Sequence, residues 1–221
     1  MKMKQIVVCA ALMSAACVSA PAFAGATGNA GVFSDYIFRG ISQTGGAAAV
    51  QGGLDYSSES GLYAGTWISN INFGAGTQYE TDFYGGFAGK VGEFGYDVGV
   101  IQYYYRGATP ANTTEFYAGG SLAGLSAKLF YTNDLASTKD SAFYVTANYP
   151  IALSKTLTLT PAVGYAFGDA YDSTKEVLDY GVTLSKALNE GFTFSFGLTG
   201  TDRDGTNDET LVIGLKKSFD L

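Results

Sequence analysis

The chain has 221 residues, and its 20 acidic and 13 basic side chains give a formal net charge of −7. This acidity excludes the basic patch that nucleic-acid binding needs. The sequence contains no histidine, which excludes His-based catalytic triads and histidine metal sites. Glycine pairs such as Gly85-Gly86 lack the context of a phosphate-binding loop. These features predict a protein that is not an enzyme and that uses no cofactor and no metal.

The first element along the chain is a predicted secretory signal peptide over residues 1–24. Lys2 and Lys4 form a basic start, an apolar run covers Ile6 to Val18, and Ala22-Phe23-Ala24 supplies a small-x-small cleavage pattern. The apolar run is shorter than the roughly 20 residues that a membrane-spanning helix needs. Cleavage after Ala24 is expected to leave one domain over residues 25–221. Since the leader carries two lysines and no acid, the mature chain is more acidic still.

Both cysteines, Cys9 and Cys17, lie within the predicted leader. The mature domain is therefore expected to have no disulfide and no cysteine metal site. An alternative is a lipoprotein signal that is cut before Cys17. Ser14 stands where that signal needs a leucine-like residue, which disfavours the alternative.

After the leader, apolar and polar residues alternate with a period of two, which is typical of β-strands. Phe94, Val98 and Val100 share one face of a segment, whereas Asp97 lies on the other. Twelve such segments predict an all-β, single antiparallel transmembrane barrel, because a bacterial barrel of one chain has an even number of strands. Ten or fourteen strands are the alternatives. The predicted strands are 30–39, 47–57, 61–69, 77–88, 93–105, 114–122, 125–132, 141–150, 156–167, 176–186, 191–201 and 209–220.

Short and long connections alternate between these segments. Ser57–Ser60, Lys90–Gly92 and Ala123–Gly124 are short turns, whereas Asn70–Gly76 and Asn133–Asp140 are longer and more polar. Short periplasmic turns that alternate with longer outer loops are typical of outer-membrane barrels.

Alternation alone does not decide whether the apolar face points outward or inward, so a soluble periplasmic barrel or sandwich is an alternative. Eight strands enclose a volume that side chains just fill, and twelve enclose more. A wet interior is therefore expected on the polar face and lipid on the apolar face. Aromatic residues near strand ends resemble the interfacial girdles of membrane barrels, although Tyr and Phe are common in any strand. These pairs are Phe94 with Tyr104, Phe143 with Tyr149, and Tyr165 with Phe167.

The last predicted strand is amphipathic. Its apolar face is interrupted only by Lys217, and the chain ends in Leu221, where such barrels usually end in Phe or Trp. This pattern predicts that the barrel-assembly machinery recognises the C-terminal strand as a partner. The apolar face consists of Leu211, Ile213, Leu215, Phe219 and Leu221.

Two segments carry a family resemblance. Ser34-Asp-Tyr-Ile-Phe-Arg-Gly-Ile-Ser-Gln-Thr44 and Gly61-Leu-Tyr-Ala-Gly-Thr-Trp-Ile-Ser-Asn70 resemble the N-terminal signature of the TorF family of porins. The resemblance implies a barrel in the bacterial outer membrane, and it supplies no catalytic residues.

Charged residues on the polar face are the candidate site, since they are expected to line a pore. Acids outnumber bases among them, and rings of carboxylates attract cations. This predicts a narrow, weakly cation-preferring pore, although the same charges could simply hydrate or cross-link the lumen. Arg39 and Asp35 could form such a cross-link, because residues i and i+4 of a strand share a face. The candidate residues are Asp35, Arg39, Asp55, Glu80, Asp82, Asp97, Glu115, Lys128 and Asp179.

Two functions compete on this basis. The first is a porin-like channel for passive diffusion of small polar solutes across the outer membrane. The second is a non-conducting outer-membrane barrel, plugged by side chains, with a structural or surface-interaction role. Outer-membrane lipid is an expected partner in both. Loop acids could bind divalent cations, but they are also ordinary turn residues. These acids are Asp134, Asp140, Asp169, Asp172, Asp204 and Asp208.

Overall fold

The computed structural model describes residues 24–74, 76, 78–107, 111–171, 176–203 and 209–221. The predicted signal peptide lies outside the described residues except for Ala24, as do Asp172, Asp204 and Asp208 among the loop acids. None of the helices in the described ranges is long and apolar enough to cross a membrane.

The alternating segments of the sequence form β-strands, most of them close to their predicted bounds. They are β1 (Gly25–Phe33), β2 (Ile37–Phe38), β3 (Ile41–Ser42), β4 (Ala49–Ser57), β5 (Leu62–Asn70), β6 (Tyr79–Val91), β7 (Phe94–Arg106), β8 (Thr113–Leu122), β9 (Leu125–Thr132), β10 (Ala142–Asn148), β11 (Ile151–Ala152), β12 (Leu157–Phe167), β13 (Val177–Ala187), β14 (Phe192–Thr201) and β15 (Glu209–Asp220). Short 3₁₀ turns lie at Leu135–Ser137, Asp169–Tyr171 and Asn189–Gly191.

Antiparallel pairing closes these strands into a barrel. Consecutive strands pair around the sheet, β1 pairs with both β4 and β15, and β10 pairs with β12. The strand β11 continues β10 along the edge of β12 after a break at Pro150, which has no N–H to donate to the ladder. The barrel therefore has twelve strands, as the sequence predicts.

The alternation separates an apolar exterior from a polar interior. On β7, Val98 faces outward and is 49% exposed, whereas the adjacent Asp97 faces inward and is 5% exposed. The predicted aromatic residues Phe94, Tyr104 and Tyr149 are exposed on the exterior, and so is the apolar face of β15. An apolar exterior on a closed barrel suits lipid, because closure leaves no unpaired strand edge. The alternative of a soluble barrel with a dry apolar centre is wrong.

The start of β1 at Gly25, the end of β15 at Asp220 and the short turns lie at one end of the barrel, which we call the turn end; we call the other the loop end. The turns at the turn end use left-handed backbone positions, such as Ala123 (φ 51°) with Gly124 (φ 89°) between β8 and β9. Two residues with positive φ match the twist of a tight hairpin. By the usual orientation of such barrels, the turn end is periplasmic.

The first predicted strand, over residues 30–39, is wrong at both ends. Strand β1 begins at Gly25 and ends at Phe33, and the chain then leaves the barrel wall. Pairing stops there because Ser34 bonds to Ile213 through its N–H (2.8 Å) and its hydroxyl oxygen (2.9 Å). The segment that follows enters the barrel instead of continuing as wall.

Candidate functional site: the lumen and the hairpin that crosses it

The strands β2 and β3 form a small hairpin inside the barrel, which we call the lumenal hairpin. Its turn is Arg39-Gly40, with φ angles of 49° and 77°. Phe38 pairs with Ile41 on either side of this turn. Glycine tolerates the left-handed conformation that a two-residue hairpin turn requires. The local sequence thus reverses the chain where uninterrupted alternation predicted a strand.

Asp35 holds the base of the lumenal hairpin. Its carboxylate accepts hydrogen bonds from the hydroxyls of Ser42 (2.7 Å) and Thr44 (2.6 Å). The backbone N–H of Gln43 donates to the carbonyl of Tyr36 (2.7 Å). Asp35 is therefore occupied by its own hairpin, and the predicted pairing of Asp35 with Arg39 is wrong.

Arg39 instead reaches the far wall of the barrel. Its guanidinium bonds to both carboxylate oxygens of Glu115 on β8, at 2.6 and 2.9 Å. It also lies over the rings of Tyr144 on β10 (4.1 Å) and Phe130 on β9 (5.4 Å). Burial by itself would lower the pKa of Arg39, but the charge and hydrogen bonds of Glu115 outweigh it and raise that pKa. Arg39 therefore remains a cation.

These contacts mean that the lumenal hairpin spans the lumen. It arises between β1 and β4, and β9 lies six strands from β1 in either direction. Gly40 abuts a third part of the wall, since a Cβ there would stand 2.9 Å from the Cβ of Asp179 on β13 and 2.7 Å from that of Thr201 on β14. The tip of the hairpin thus contacts the wall in two places, at β8 to β10 through Arg39 and at β13 and β14 through Gly40.

The root of the lumenal hairpin packs against β5 to β7. The ring of Tyr36 meets Trp67 edge-on at 5.2 Å, and Phe38 meets Tyr103 at 5.7 Å. The hydroxyls of Tyr36 (3.4 Å) and Tyr105 (3.3 Å) donate to Glu80, which is only 1% exposed. The loop end of the lumen is therefore filled in this conformation. The hairpin occupies the part of the lumen that the side chains of the wall do not fill.

Glu80 and Asp82 share the inward face of β6. One carboxyl oxygen of each has no hydrogen-bond partner among the described residues, and the same is true of Asp179 on β13. An unsatisfied buried carboxyl oxygen is costly and needs an explanation. All three side chains lie on inward strand faces, where water in the lumen can satisfy these oxygens.

A second polar layer lies nearer the turn end. Lys128 on β9 forms an ion pair with Asp97 on β7 at 2.6 Å, and both side chains are buried. The hydroxyl of Tyr63 also donates to Asp97 (2.6 Å), and the Lys128 ammonium lies 4.3 Å from the centre of the Tyr117 ring. A buried charge pair tolerates low dielectric only when further hydrogen bonds satisfy it, as here.

Asp55 faces the same layer from β4. Its carboxylate accepts a hydrogen bond of 2.5 Å from the hydroxyl of Tyr84 on β6. It remains partly exposed and has no ion-pair partner in the parts of the chain that the structure describes.

The remaining wall is lined by small hydroxyl side chains. Thr199 donates to the Tyr180 carbonyl (3.1 Å), Thr201 to that of Leu178 (3.0 Å), and Ser195 to that of Gly214 (3.4 Å). Each bond joins a hydroxyl to the neighbouring strand. These three hydroxyls therefore bond along the wall and do not cross the lumen.

The structure places all nine predicted charged residues in the interior. Asp55, Glu80, Asp82, Asp97, Glu115, Lys128 and Asp179 lie on inward strand faces, and Asp35 and Arg39 lie on the lumenal hairpin. Two pairs come together, Arg39 with Glu115 and Lys128 with Asp97. That these residues line a conducting pore remains a prediction.

Sequence reasoning missed the inward tyrosines, which donate to or surround these charges. The signal was available, because they alternate in step with the acids: Tyr103 and Tyr105 follow Asp97 at even spacing, and Tyr117 follows Glu115. The inward tyrosines are Tyr63, Tyr84, Tyr103, Tyr105, Tyr117 and Tyr144.

Two of the described loop acids hydrogen-bond within the loops, one inside its own turn and one to a neighbouring loop. Asp134 accepts the backbone N–H of Lys139 (2.8 Å), and Asp169 accepts the hydroxyl of Ser141 (2.7 Å). No cluster of three potential metal ligands occurs within the ranges given above.

Solved structures with the same fold are porins. The KdgM porin aligns with a TM-score of 0.61 at 13% identity, over 87% of this chain and 99% of that one. The KdgM porin in complex with disordered oligogalacturonate aligns with a TM-score of 0.60 at 12% identity, over 88% and 98% of the two chains. The NanC porin aligns with a TM-score of 0.58 at 13% identity, over 89% and 100%. No curated protein sequence matches the chain.

The chain thus has the fold of a twelve-strand outer-membrane porin, and its apolar exterior meets what that fold needs in a membrane. We assign it to the bacterial outer membrane on these two grounds. A family model described as "Bacterial protein of unknown function (Gcw_chp)" matches residues 18–219, and the chain belongs to that family.

Proposed function

We propose that the barrel is an outer-membrane channel for passive diffusion of small polar solutes, with a weak preference for cations. The observation that carries this proposal is the excess of carboxylates in the lumen. Arg39 and Lys128 each pair with one acid, whereas five interior acids form no ion pair among the described residues. These five are Asp35, Asp55, Glu80, Asp82 and Asp179.

The unpaired carboxylates lie at both levels of the lumen. Glu80, Asp82 and Asp179 surround the lumenal hairpin, and Asp55 lies nearer the turn end. A cation entering from either side would meet unpaired carboxyl groups at both levels, and rings of carboxylates attract cations and disfavour anions. The KdgM porin is solved with oligogalacturonate, an acidic sugar chain. We expect an anionic solute of that kind to be disfavoured in this lumen.

In this proposal the lumenal hairpin sets the width of the passage. Its tip is held by one ion pair, between Arg39 and Glu115, and by ring contacts of Arg39. The second candidate function, a non-conducting barrel, is favoured by the same hairpin, because it fills the loop end from wall to wall. The two functions differ in whether the hairpin leaves or opens a path for ions.

Single-channel recording in planar bilayers separates the two candidates. The wild-type protein is compared with the double variant Arg39→Gln/Glu115→Gln, which removes both charges and retains groups that can hydrogen-bond. Conductance in the wild type supports a channel. Conductance that appears or rises in the double variant supports a channel that the hairpin narrows. Silence of both folded proteins supports the non-conducting barrel.

Reversal potentials in a salt gradient test the cation preference. The variant Asp55→Asn/Asp179→Asn is expected to shift the reversal potential towards that of a non-selective pore, because it removes two unpaired lumenal charges. Asp140→Asn, at an exposed loop position, is the matched control and should leave the potential unchanged. Anion preference in the wild type would contradict the proposal.

Two further expectations belong to this proposal. We propose that the apolar face of β15 is the signal for the barrel-assembly machinery and that outer-membrane lipid surrounds the exterior. The TorF resemblance remains a prediction; of the two segments that carry it, residues 34–44 contain the lumenal hairpin and residues 61–70 cover β5.

A further inference from the structure

Arg39 occupies a turn position that does not favour its residue type. A two-residue hairpin turn with positive φ favours Asn, Asp or Gly at its first position, and Arg39 has a φ of 49° there. The buried Nε of Arg39 also has no hydrogen-bond partner among the described residues. Both features cost free energy, the first through backbone strain and the second through an unsatisfied donor. Such departures from local preference are expected at functional sites, so the position of this guanidinium needs a functional reason.

The wall of the barrel supplies the pocket that receives this guanidinium. Glu115 on β8 presents both carboxylate oxygens to it, at 2.6 and 2.9 Å, and the hydroxyl of Tyr103 on β7 donates to one of these oxygens (3.1 Å). The ring centres of Tyr144 and Phe130 lie 4.1 and 5.4 Å from the guanidinium carbon. We call these four residues the Glu115 pocket. None of them belongs to the lumenal hairpin, so Arg39 sits in the pocket as a ligand would.

The pairing of Lys128 with Asp97 shows what is particular to the Glu115 pocket. The Lys128 ammonium donates to one oxygen of Asp97 (2.6 Å), and the Tyr63 hydroxyl donates to the other (2.6 Å). Asp97 therefore offers a cation one oxygen, whereas Glu115 offers two. A planar guanidinium matches two carboxylate oxygens with two parallel N–H bonds, whereas an ammonium binds as a point charge. The Glu115 pocket is therefore fitted to a guanidinium group.

We propose that the Glu115 pocket binds solutes that carry a guanidinium group, and that Arg39 occupies the pocket in their absence. Such a solute competes with Arg39 for Glu115 and leaves the tip of the lumenal hairpin without its ion pair. The pair is open to competition, because 12% of the surface of the Arg39 side chain remains exposed. That the released tip then widens a passage for the same solute rests on the channel function proposed above.

Saturation-transfer NMR of the full barrel tests the pocket with ethylguanidinium, and ethylammonium is the probe of equal charge and chain length. Both are used at millimolar concentration, because a tethered group such as Arg39 competes at an effective concentration of that order. Arg39→Gln removes the occupant and retains all four residues of the pocket. This variant should bind ethylguanidinium about tenfold more tightly than the wild type, the scale of a hydrogen bond to a charged group. Equal binding of the two probes by this variant would overturn the proposal.

Further variants locate the site. Arg39→Gln/Glu115→Gln carries the same hairpin without the carboxylate and should lose the preference for ethylguanidinium over ethylammonium. Arg39→Gln/Asp140→Asn removes an exposed loop acid instead and is the matched control, which should bind as Arg39→Gln does. A preference that survives Glu115→Gln would place the binding elsewhere and overturn the proposal. If Arg39→Gln does not fold, Arg39→Lys takes its place, because it keeps the charge but lacks the fork and should also bind ethylguanidinium more tightly than the wild type.

The single tryptophan reports whether the solute displaces the hairpin. Trp67 meets the ring of Tyr36 at the root of the lumenal hairpin, at 5.2 Å. Ethylguanidinium should therefore shift the Trp67 emission of the wild type, and it should leave that of Arg39→Gln/Glu115→Gln unchanged. Binding to the wild type without a shift would overturn the competition with Arg39. Neither measurement needs ion flow, so a barrel that binds the probe and shifts its emission but stays silent in planar bilayers would contradict only the channel function.

Discussion

Two parts of the lumen wall carry different side chains and satisfy their polar groups in different ways. From β5 to β10 the wall carries large tyrosines and charged residues whose side chains bond across strands, as Tyr63 and Lys128 do to Asp97. From β12 to β15 the wall is mostly Thr, Ser and Gly, and its hydroxyls bond to carbonyls of the adjacent strand. We call these the network wall and the hydroxyl wall. Side chains of the network wall link its strands to one another. Those of the hydroxyl wall are short and leave more of the lumen unfilled.

The lumenal hairpin connects the two walls. Arg39 joins the network wall through Glu115, and Gly40 rests on the hydroxyl wall at Thr201 and at the charged Asp179. The contrast teaches that bulk and charge are concentrated on one side of the lumen. We expect substitutions to affect stability most in the network wall, and the passage most where the hairpin meets the hydroxyl wall.

The largest effect is expected in the network wall, at the buried pair of Lys128 and Asp97. Lys128→Met leaves Asp97 charged and uncompensated in the interior and should lower the free energy of unfolding by about 3–5 kcal/mol. Urea titration of the barrel folded in lipid vesicles measures the change. The double variant Lys128→Met/Asp97→Asn is the control and should recover much of the loss. A double variant as unstable as the single one would mean that packing of Lys128, not charge, is responsible.

The next effect is expected where the lumenal hairpin meets the hydroxyl wall. Gly40→Ala places a Cβ against Asp179 and Thr201 and also strains a residue with positive φ, so it should cost about 1–3 kcal/mol and loosen the hairpin tip. Unfolding and single-channel conductance are both measured. Gly46→Ala is a matched control, because its φ of 79° is similar but a Cβ there meets nothing within 4 Å. Equal effects of the two variants would show that backbone strain alone acts and that the wall contact does not matter.

A smaller effect is expected within the hydroxyl wall. Thr199→Val keeps the shape of the side chain and removes its hydrogen bond to the Tyr180 carbonyl, which should cost about 1 kcal/mol. Urea titration checks this value. A fall in the free energy of unfolding as large as that of Lys128→Met would contradict the expected difference between the two walls.

The smallest effect is expected at Ser185, also in the hydroxyl wall. Its hydroxyl is buried and has no hydrogen-bond partner among the described residues. Ser185→Ala should therefore change the free energy of unfolding by less than about 0.5 kcal/mol, or stabilise the barrel slightly. A clear destabilisation would indicate that water in an open lumen satisfies the hydroxyl. That result would support the channel proposal.

Most of the barrel could be predicted from the sequence because strand alternation is local. A side-chain period of two assigns inward and outward faces without knowledge of the partner strand. The last strand, 209–220, and the short strand 125–132 agree with the structure at both ends. The same rule places Asp97 on the inward face and Val98 on the outward face.

The lumenal hairpin could not be predicted in this way. Asp35, Ile37 and Arg39 alternate as in a strand, and the turn at Arg39-Gly40 becomes decisive only because the hairpin finds contacts inside the barrel. Arg39 and Glu115 are 76 residues apart, so their pairing exists only after the barrel has closed. The sequence by itself determined which side chains face inward, because that depends on neighbours along the chain. Only the tertiary structure decided which of them meet across the lumen, because closure sets the distances between opposite walls.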